Sequence, residues 1–136
     1  MTVTHHPRVP GLASFGDYSP LAEAGELVVV AGQFGTDGAG ALPADGDPAE
    51  QVRGAFANVG RALAHAGLGF ADVLRFTTFL VGRETVPVFM ETRKEVFAEI
   101  YPDGVYPPNT LLLVAGLVEE RFVCEIEAVA YRGGRR

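Results

Sequence analysis

The sequence has one cysteine, no tryptophan and three histidines among 136 residues. The single thiol, Cys124, excludes an internal disulfide and a metal site built from cysteines. His5 and His6 are adjacent near the N-terminus and His65 is far from them in sequence, whereas zinc is held by about three or four ligands at fixed spacing. We therefore expect neither a metal site nor a disulfide framework.

A basic surplus and a long apolar run are also missing. The 11 lysines and arginines are outnumbered by 17 acidic residues, and the formal net charge is −6. Proteins bind phosphate backbones through basic clusters, so this balance argues against a nucleic-acid partner. No apolar run approaches the roughly 20 residues of a membrane span, and the first residues, MTVTHHPRVPG, lack a secretion-signal core. We expect a cytoplasmic protein without a membrane partner.

Hydrophobic residues make up 48% of the chain, enough to form a core. The length indicates a single domain, 1–136, in which residues 1–16 are expected to be a loosely held N-terminal segment. β-branched and aromatic runs predict strands over 27–31, 73–81, 110–114 and 122–131. The turn-rich stretch 35–46 predicts a hairpin with a brief additional strand.

Two helices are predicted between these strands. The first has Asp47 as its N-cap, Pro48 at its first position and an apolar stripe along one side, and it ends at Gly67. The second is expected to be capped by Thr85 and to run to about Tyr101. Its inward-facing residues are Phe89, Val96, Phe97 and Ile100.

The predicted order, β-β-α-β-α-β-β, indicates an α+β protein with two helices on one face of a mixed sheet. Alternation along the last strand directs Cys124, Ile126 and Ala128 towards the helices, and Glu125 and Glu127 the other way. Strands 73–81 and 110–114 carry large apolar side chains on both sides. The face without helices is therefore expected to be buried against other subunits.

Four blocks of sequence carry a family resemblance. They are YSPLAEAGELVVVAGQ at 18–33, the helix with Gln51, Asn58 and Leu63, the D-V-x-x-x-T-x-F-L pattern at 72–80, and VCEIEAVA at 123–130. In this order and spacing, the chain resembles the Rid family, the YjgF-like reactive intermediate deaminases, from about residue 18 to residue 132.

The resemblance implies a chorismate-mutase-like α+β fold assembled as a homotrimer. In such a trimer the sheets form a central barrel, the helices lie outside, and small-molecule pockets lie at the subunit interfaces. Active members hydrolyse enamines and imines to carbonyl compounds and ammonia, and they use neither a metal nor an organic cofactor.

The resemblance also suggests site residues. In active members, an arginine in a Pro-Ala-Arg-(Ser/Thr) stretch binds the substrate carboxylate, but residues 107–110 here read PPNT. Asn109 therefore occupies the arginine position without a charge, and Leu111 occupies a position that is often cysteine. Tyr106 is a candidate pocket wall. These changes predict an altered substrate specificity.

Glu125 falls where active members orient or activate water, which makes it the catalytic candidate, with Glu127 as the alternative carboxylate. Tyr18 matches a tyrosine that reaches the pocket from a neighbouring subunit, and Gly32 matches a glycine whose backbone lines it. Each also has a structural interpretation. Glu125 can accept backbone hydrogen bonds, Tyr18 can hold the N-terminal segment, and Gly32 can end a strand.

Three functions remain open at this point. The leading hypothesis is an enzyme that hydrolyses a small imine or enamine with altered specificity. The alternative is a non-catalytic homotrimer that binds a small molecule at its interfaces. An endoribonuclease is the weakest, because the chain is acidic and has no basic cluster that predicts an RNA-binding cleft.

Overall fold

The computed structural model describes residues 2–133, which form one mixed sheet with two helices packed on one face. The strands are β1 (Val3–His6), β2 (Leu21–Ala24), β3 (Leu27–Gln33), β4 (Val73–Val81), β5 (Asn109–Val114) and β6 (Cys124–Tyr131). The helices are α1 (Pro48–His65) and α2 (Thr85–Ile100). The sheet order is β1-β2-β3-β6-β4-β5, and β4 and β5 are its parallel pair. This architecture confirms the predicted α+β class.

Helix α1 begins as its sequence predicts. The backbone N–H of Glu50 donates to the Asp47 carboxylate over 3.1 Å, and Pro48 is the first helical residue. The predicted apolar stripe is buried against β3 and β6. Gly67, with a φ of +75°, follows the last turn and allows the chain to reverse. Within residues 2–133, neither this helix nor any other has the length and apolar content needed to cross a membrane.

The expectation that Thr85 caps α2 is wrong. Glu84 is the N-cap and Thr85 is the first helical residue. The Thr85 hydroxyl instead donates to the backbone carbonyl of Val81 over 2.6 Å. Gly82, with a φ of +83°, makes the turn from β4 so short that this hydroxyl reaches the end of the preceding strand.

The predicted alternation along β6 is confirmed. Cys124, Ile126 and Ala128 are buried beneath the helices, while Glu125 and Glu127 lie on the opposite face and are half-buried. Burial raises the pKa of the Cys124 thiol to about 12. At neutral pH this thiol is protonated and unreactive, as expected for a core cysteine.

The hairpin expected in 35–46 is wrong, because these residues form a loop and a 3₁₀ turn, Ala44–Gly46. The Asp37 carboxylate accepts hydrogen bonds from the backbone N–H groups of Ala39 and Ala41. A side chain therefore provides the hydrogen-bond acceptors that a neighbouring strand would provide in a hairpin. The early strands lie elsewhere. β2 pairs with β3, and β1, which falls within residues 1–16, pairs with β2 at the sheet edge.

The face without helices exposes large apolar side chains. Leu27, Val29, Leu112 and Tyr131 lie on it, and their exposed fractions are 45%, 50%, 44% and 47%. Exposed large apolar side chains on one side of a sheet are typical of a subunit interface. Burial of this face in an oligomer stays a prediction.

Candidate active site

Strand β3 contains a bulge at the position of the candidate glycine. Val30 pairs with Ala128 and Gln33 pairs with Ile126, so β3 has one residue more than β6 between these pairs. Gly32 lies in that irregular stretch. A Cβ atom on Gly32 would be 2.0 Å from Oε2 of Glu125. The Glu125 carboxylate therefore packs directly over the glycine, where any side chain would collide with it.

The bulge forms one wall of a cleft of about 380 Å³, which we call the bulge cleft. Its lining residues are Phe15, Tyr18, Ser19, Ala31, Gly32, Phe34, Val118, Glu125 and Glu127. The structure thus brings Tyr18, Gly32 and Glu125, three of the site residues proposed from sequence, to one place. Tyr18 is 45% exposed and lies at the surface of the cleft, not in the core.

The surroundings of the bulge cleft raise the pKa values of both of its titratable candidates, Glu125 and Tyr18. Burial raises the pKa of Glu125, and the negative charge of Glu127 raises it further. Burial also raises the pKa of Tyr18, and the negative charge of Glu125 raises it further. A hydrogen bond with the backbone of Phe15 lowers this pKa, but by less than burial raises it. A carboxyl with a raised pKa exchanges protons nearer neutral pH than an exposed glutamate does, which suits general acid–base chemistry.

Two buried polar residues of α1 hold the chain around this cleft. The Gln51 side-chain amide donates to the carbonyls of Gly46 and Arg121 and accepts the Val123 N–H, which fixes the segment entering β6. The Asn58 amide donates to two carbonyls of the segment that leaves β3, those of Phe34 and Thr36. These bonds fix the backbone before Glu125 and after Gly32.

Asn109 lies in a second depression, on the helix side of the sheet. It pairs with Phe76, whose side chain is buried beneath the helices. The Thr78 hydroxyl donates to Oδ1 of Asn109 over 2.9 Å. Nδ2 of Asn109 has no hydrogen-bond partner within the described part of the chain, 2–133, and its two N–H donors remain available to a ligand.

We call this depression the α2 groove. It has a volume of about 320 Å³ and is lined by Met90, Arg93, Lys94, Phe97, Tyr106, Pro107 and Asn109. Tyr106 is 57% exposed, and its ring lies 5.4 Å from that of Phe97. Leu111, two residues after Asn109, is on the same face of β5 and packs against the core next to the groove.

The six candidate residues thus fall into two groups on opposite faces of the sheet. Asn109 is level with Phe76 of β4, and Glu125 is level with Phe79, three positions further along the same strand. Odd spacing along a strand places side chains on opposite faces. Within one chain, the group of Tyr18, Gly32 and Glu125 is therefore separated from the group of Tyr106, Asn109 and Leu111.

Sequence reasoning missed several lining residues. Phe15, Ser19 and Phe34 line the bulge cleft, and Arg93 and Lys94 line the α2 groove. Arg93 carried a detectable signal. It lies four residues from both Phe89 and Phe97, so an arginine shares one helical stripe with two inward-facing aromatic residues. Among residues 2–133, no three histidine, cysteine or acidic side chains are grouped so that they could hold a metal ion.

Comparisons with known proteins identify relatives of this chain. The sequence matches the family described as Endoribonuclease L-PSP over residues 10–132. It is 36% identical over 124 residues to an uncharacterized protein of Streptomyces coelicolor, covering 91% of this chain and 87% of that one. It is 28% identical over 121 residues to the 2-iminobutanoate/2-iminopropanoate deaminase of Bos taurus, covering 89% and 84%.

The fold of the chain also matches the folds of solved structures. The crystal structure of E. coli TdcF with bound serine superimposes with a TM-score of 0.80 at 28% identity, covering 90% of this chain and 94% of that chain. The match to the family, which spans almost the whole chain, and this superposition confirm the resemblance seen in the four sequence blocks. The chain belongs to the Endoribonuclease L-PSP family, the Rid or YjgF-like family of reactive intermediate deaminases, and has its chorismate-mutase-like fold.

Proposed function

We propose that this protein hydrolyses a small imine or enamine to a carbonyl compound and ammonia, with Glu125 as the catalytic residue. The observation that carries the proposal is the Glu125 carboxyl, which packs over Gly32, has a raised pKa and faces a cleft beside Tyr18. The deaminase name of the Bos taurus relative supports the reaction class.

The residues of the bulge cleft suit each step of this reaction. Glu125 accepts a proton from water as the oxygen adds to the C=N carbon, and a carbinolamine forms. Glu125 passes this proton to the nitrogen, which completes the neutral carbinolamine. The proton of the new hydroxyl then also moves to the nitrogen through Glu125, the C–N bond breaks, and ammonia leaves as the carbonyl forms, so that both protons of the water end on nitrogen. An enamine requires one earlier step, protonation at its β-carbon. The Tyr18 hydroxyl, whose pKa is raised by burial, is protonated at neutral pH and can donate a hydrogen bond to a substrate in the cleft that it lines.

The pocket in this proposal is completed by a second copy of the chain. Glu125 and Asn109 lie on opposite faces of one sheet, so one ligand meets both only where two copies adjoin. β5 is a sheet edge, and the face without helices exposes large apolar side chains. We infer a homotrimer in which the bulge cleft of one copy meets the β5 edge of the next. Native mass spectrometry should give three times the 14.4 kDa chain mass, and a fully active monomer would contradict this assembly.

Position 109 is expected to alter specificity. Asn109 offers neutral hydrogen bonds where the resemblance places a charged arginine. The loss of a charge-assisted bond typically weakens binding by about 1–2 kcal/mol, or roughly tenfold. An Asn109→Arg variant should therefore turn over 2-imino acids with a lower KM than the wild type, and an unchanged KM would show that residue 109 does not contact the substrate.

The direct test is a turnover assay on full-length protein. An amino-acid oxidase with catalase generates 2-iminobutanoate in situ, and semicarbazide traps the imine that escapes hydrolysis. The wild type should suppress semicarbazone formation, and Glu125→Gln should lower kcat by about 100-fold or more. The matched control is Glu120→Gln, which neutralises an exposed carboxylate outside the cleft. Equal activity of a folded Glu125→Gln variant would exclude Glu125 as the catalytic residue.

A non-catalytic homotrimer that binds a small molecule is the second candidate. Asn109 and Leu111 favour it, because each is less polar than the residue at the same position in the active members that the sequence resembles. Ligand binding without turnover of any imine by the wild type would support it. An endoribonuclease remains the weakest candidate, since the net charge of −6 opposes approach to RNA.

A further inference from the structure

We propose that Arg93 of α2, together with the Asn109 amide, binds the carboxylate of an imino or enamino acid in the α2 groove. This inference rests on the proposed deaminase function and specifies its substrate class. The cation that position 109 lacks would be supplied by the helix that faces the same strand.

Arg93 has no acidic partner. The ion pairs of residues 2–133 involve His6, Arg53, Arg121 and Arg132, and no carboxylate pairs with Arg93. Its Nη2 donates to the sulfur of Met90 over 3.0 Å, and sulfur is a weak acceptor. Most of its five N–H donors are therefore available to a ligand.

Aromatic rings hold this guanidinium in place. Its central carbon lies 5.0 Å from the ring centroid of Phe89 and 5.9 Å from that of Phe97, within cation–π range of both. Burial lowers the pKa of Arg93, although an arginine stays protonated at neutral pH. A partly desolvated cation without a counter-charge attracts an anion more strongly than an exposed one, because water screens it less.

The groove around Arg93 has the charge and the donors that a small carboxylate requires. Both charged residues that line it, Arg93 and Lys94, are basic, although the protein carries a net charge of −6. Thr78 occupies Oδ1 of Asn109, which leaves the Nδ2 donors for a ligand oxygen. A guanidinium fork and an amide on an aromatic floor match a planar 2-oxo or 2-imino carboxylate, for which a volume of about 320 Å³ is sufficient.

Stable product analogues test this assignment by isothermal titration calorimetry. The wild type should bind 2-oxobutanoate at least about tenfold more tightly than the neutral 2-oxobutanamide, the difference expected for a charge-assisted pair. Arg93→Gln should lose this preference and Arg93→Lys should keep part of it, since lysine retains the charge without the fork. The matched control is Arg83→Gln, an exposed arginine before α2 that should bind like the wild type. Retained preference in Arg93→Gln, or no preference in the wild type, would overturn the proposal.

Turnover separates this inference from the deaminase proposal. Arg93→Gln should raise KM for 2-iminobutanoate by about tenfold or more, and it should raise KM for an imine without a carboxylate much less. If the wild type prefers 2-oxobutanoate through Arg93 but hydrolyses no imine, the anion site is supported and the deaminase proposal is refuted. If the wild type hydrolyses imines and Arg93→Gln changes neither binding nor turnover, the deaminase proposal is supported and the anion site is refuted.

Discussion

The contact between Gly32 and Glu125 allows a sharp test of the proposed catalytic residue. In a Gly32→Ala variant, the new methyl group would lie 2.0 Å from Oε2, 2.6 Å from Cδ and 2.8 Å from Cγ of Glu125. All three atoms belong to a flexible side chain, so Glu125 can relieve the collision by rotating. The carboxylate would then leave its position over the bulge.

The stability change should be small because two effects oppose each other. A side chain displaced from its preferred rotamer costs about 0.5–1.5 kcal/mol. Gly32 does not have a positive φ, so alanine fits its backbone and restricts the unfolded chain, which stabilises the fold by about 0.4–1 kcal/mol. The remainder is below about 1 kcal/mol and should shift Tm by only a few degrees.

Catalysis should respond much more strongly. A displacement of a catalytic group by about 1 Å can lower turnover by about 100-fold, even when the fold is intact. The expected result for Gly32→Ala is therefore a kcat about 100-fold below that of the wild type, with a near-normal Tm. Turnover of 2-iminobutanoate and thermal unfolding should be measured on the same preparation.

Gly69→Ala is the matched control for this variant. Gly69 has an extended backbone, and a Cβ built on it would meet no atom within 4 Å. This variant should match the wild type in both assays. If Gly32→Ala keeps the wild-type kcat while its Tm is also unchanged, the position of the Glu125 carboxylate is irrelevant to turnover and the catalytic assignment is refuted.

Three further predictions concern charge. Because Glu127 contributes to the raised pKa of Glu125, Glu127→Gln should move the acidic limb of the kcat/KM profile to lower pH, and an unmoved limb would contradict that coupling. The pKa of Glu125 is raised in the folded state, so its ionised form weakens the fold above that pKa. Glu125→Gln should raise Tm at neutral pH, and this gain should vanish in scans below the unfolded glutamate pKa of about 4.3. The double variant Arg93→Asn/Asn109→Arg should bind 2-oxobutanoate more tightly than Arg93→Asn alone if both positions contact one carboxylate. A double variant that binds no more tightly than Arg93→Asn alone would contradict that shared role.

The elements predicted best from sequence were those whose signals are local. Asp47 and Pro48 mark the start of α1 by a signal that is only a few residues long. The alternation along β6 assigns Glu125 to its face of the sheet without any knowledge of the neighbouring strands. β2 was missed because LAEA has weak strand propensity. Its strand geometry comes from pairing with β3, where Leu21 is opposite Val30 and is buried.

The bulge in β3 could not be predicted from the chain alone. It exists because Val30 pairs with Ala128 while Gln33 pairs with Ile126, and these partners are more than 90 positions apart in sequence. Nothing in LVVVAGQ indicates the register of a distant strand. The resemblance identified Gly32 as a pocket residue, but the reason for the glycine, a carboxylate packed against its α-carbon, is a tertiary contact.

The α2 groove shows why one substitution does not determine the charge of a site. Comparison by position finds an uncharged Asn109 and predicts a pocket without a cation. The groove, however, is formed jointly by the start of β5 and by α2, and the helix places Arg93 and Lys94 in it. A ligand responds to the summed field of these groups, whichever element carries them. An uncharged residue at position 109 is therefore consistent with two pockets, one whose cation has moved to α2 and one without any cation. The affinity for 2-oxobutanoate decides between them.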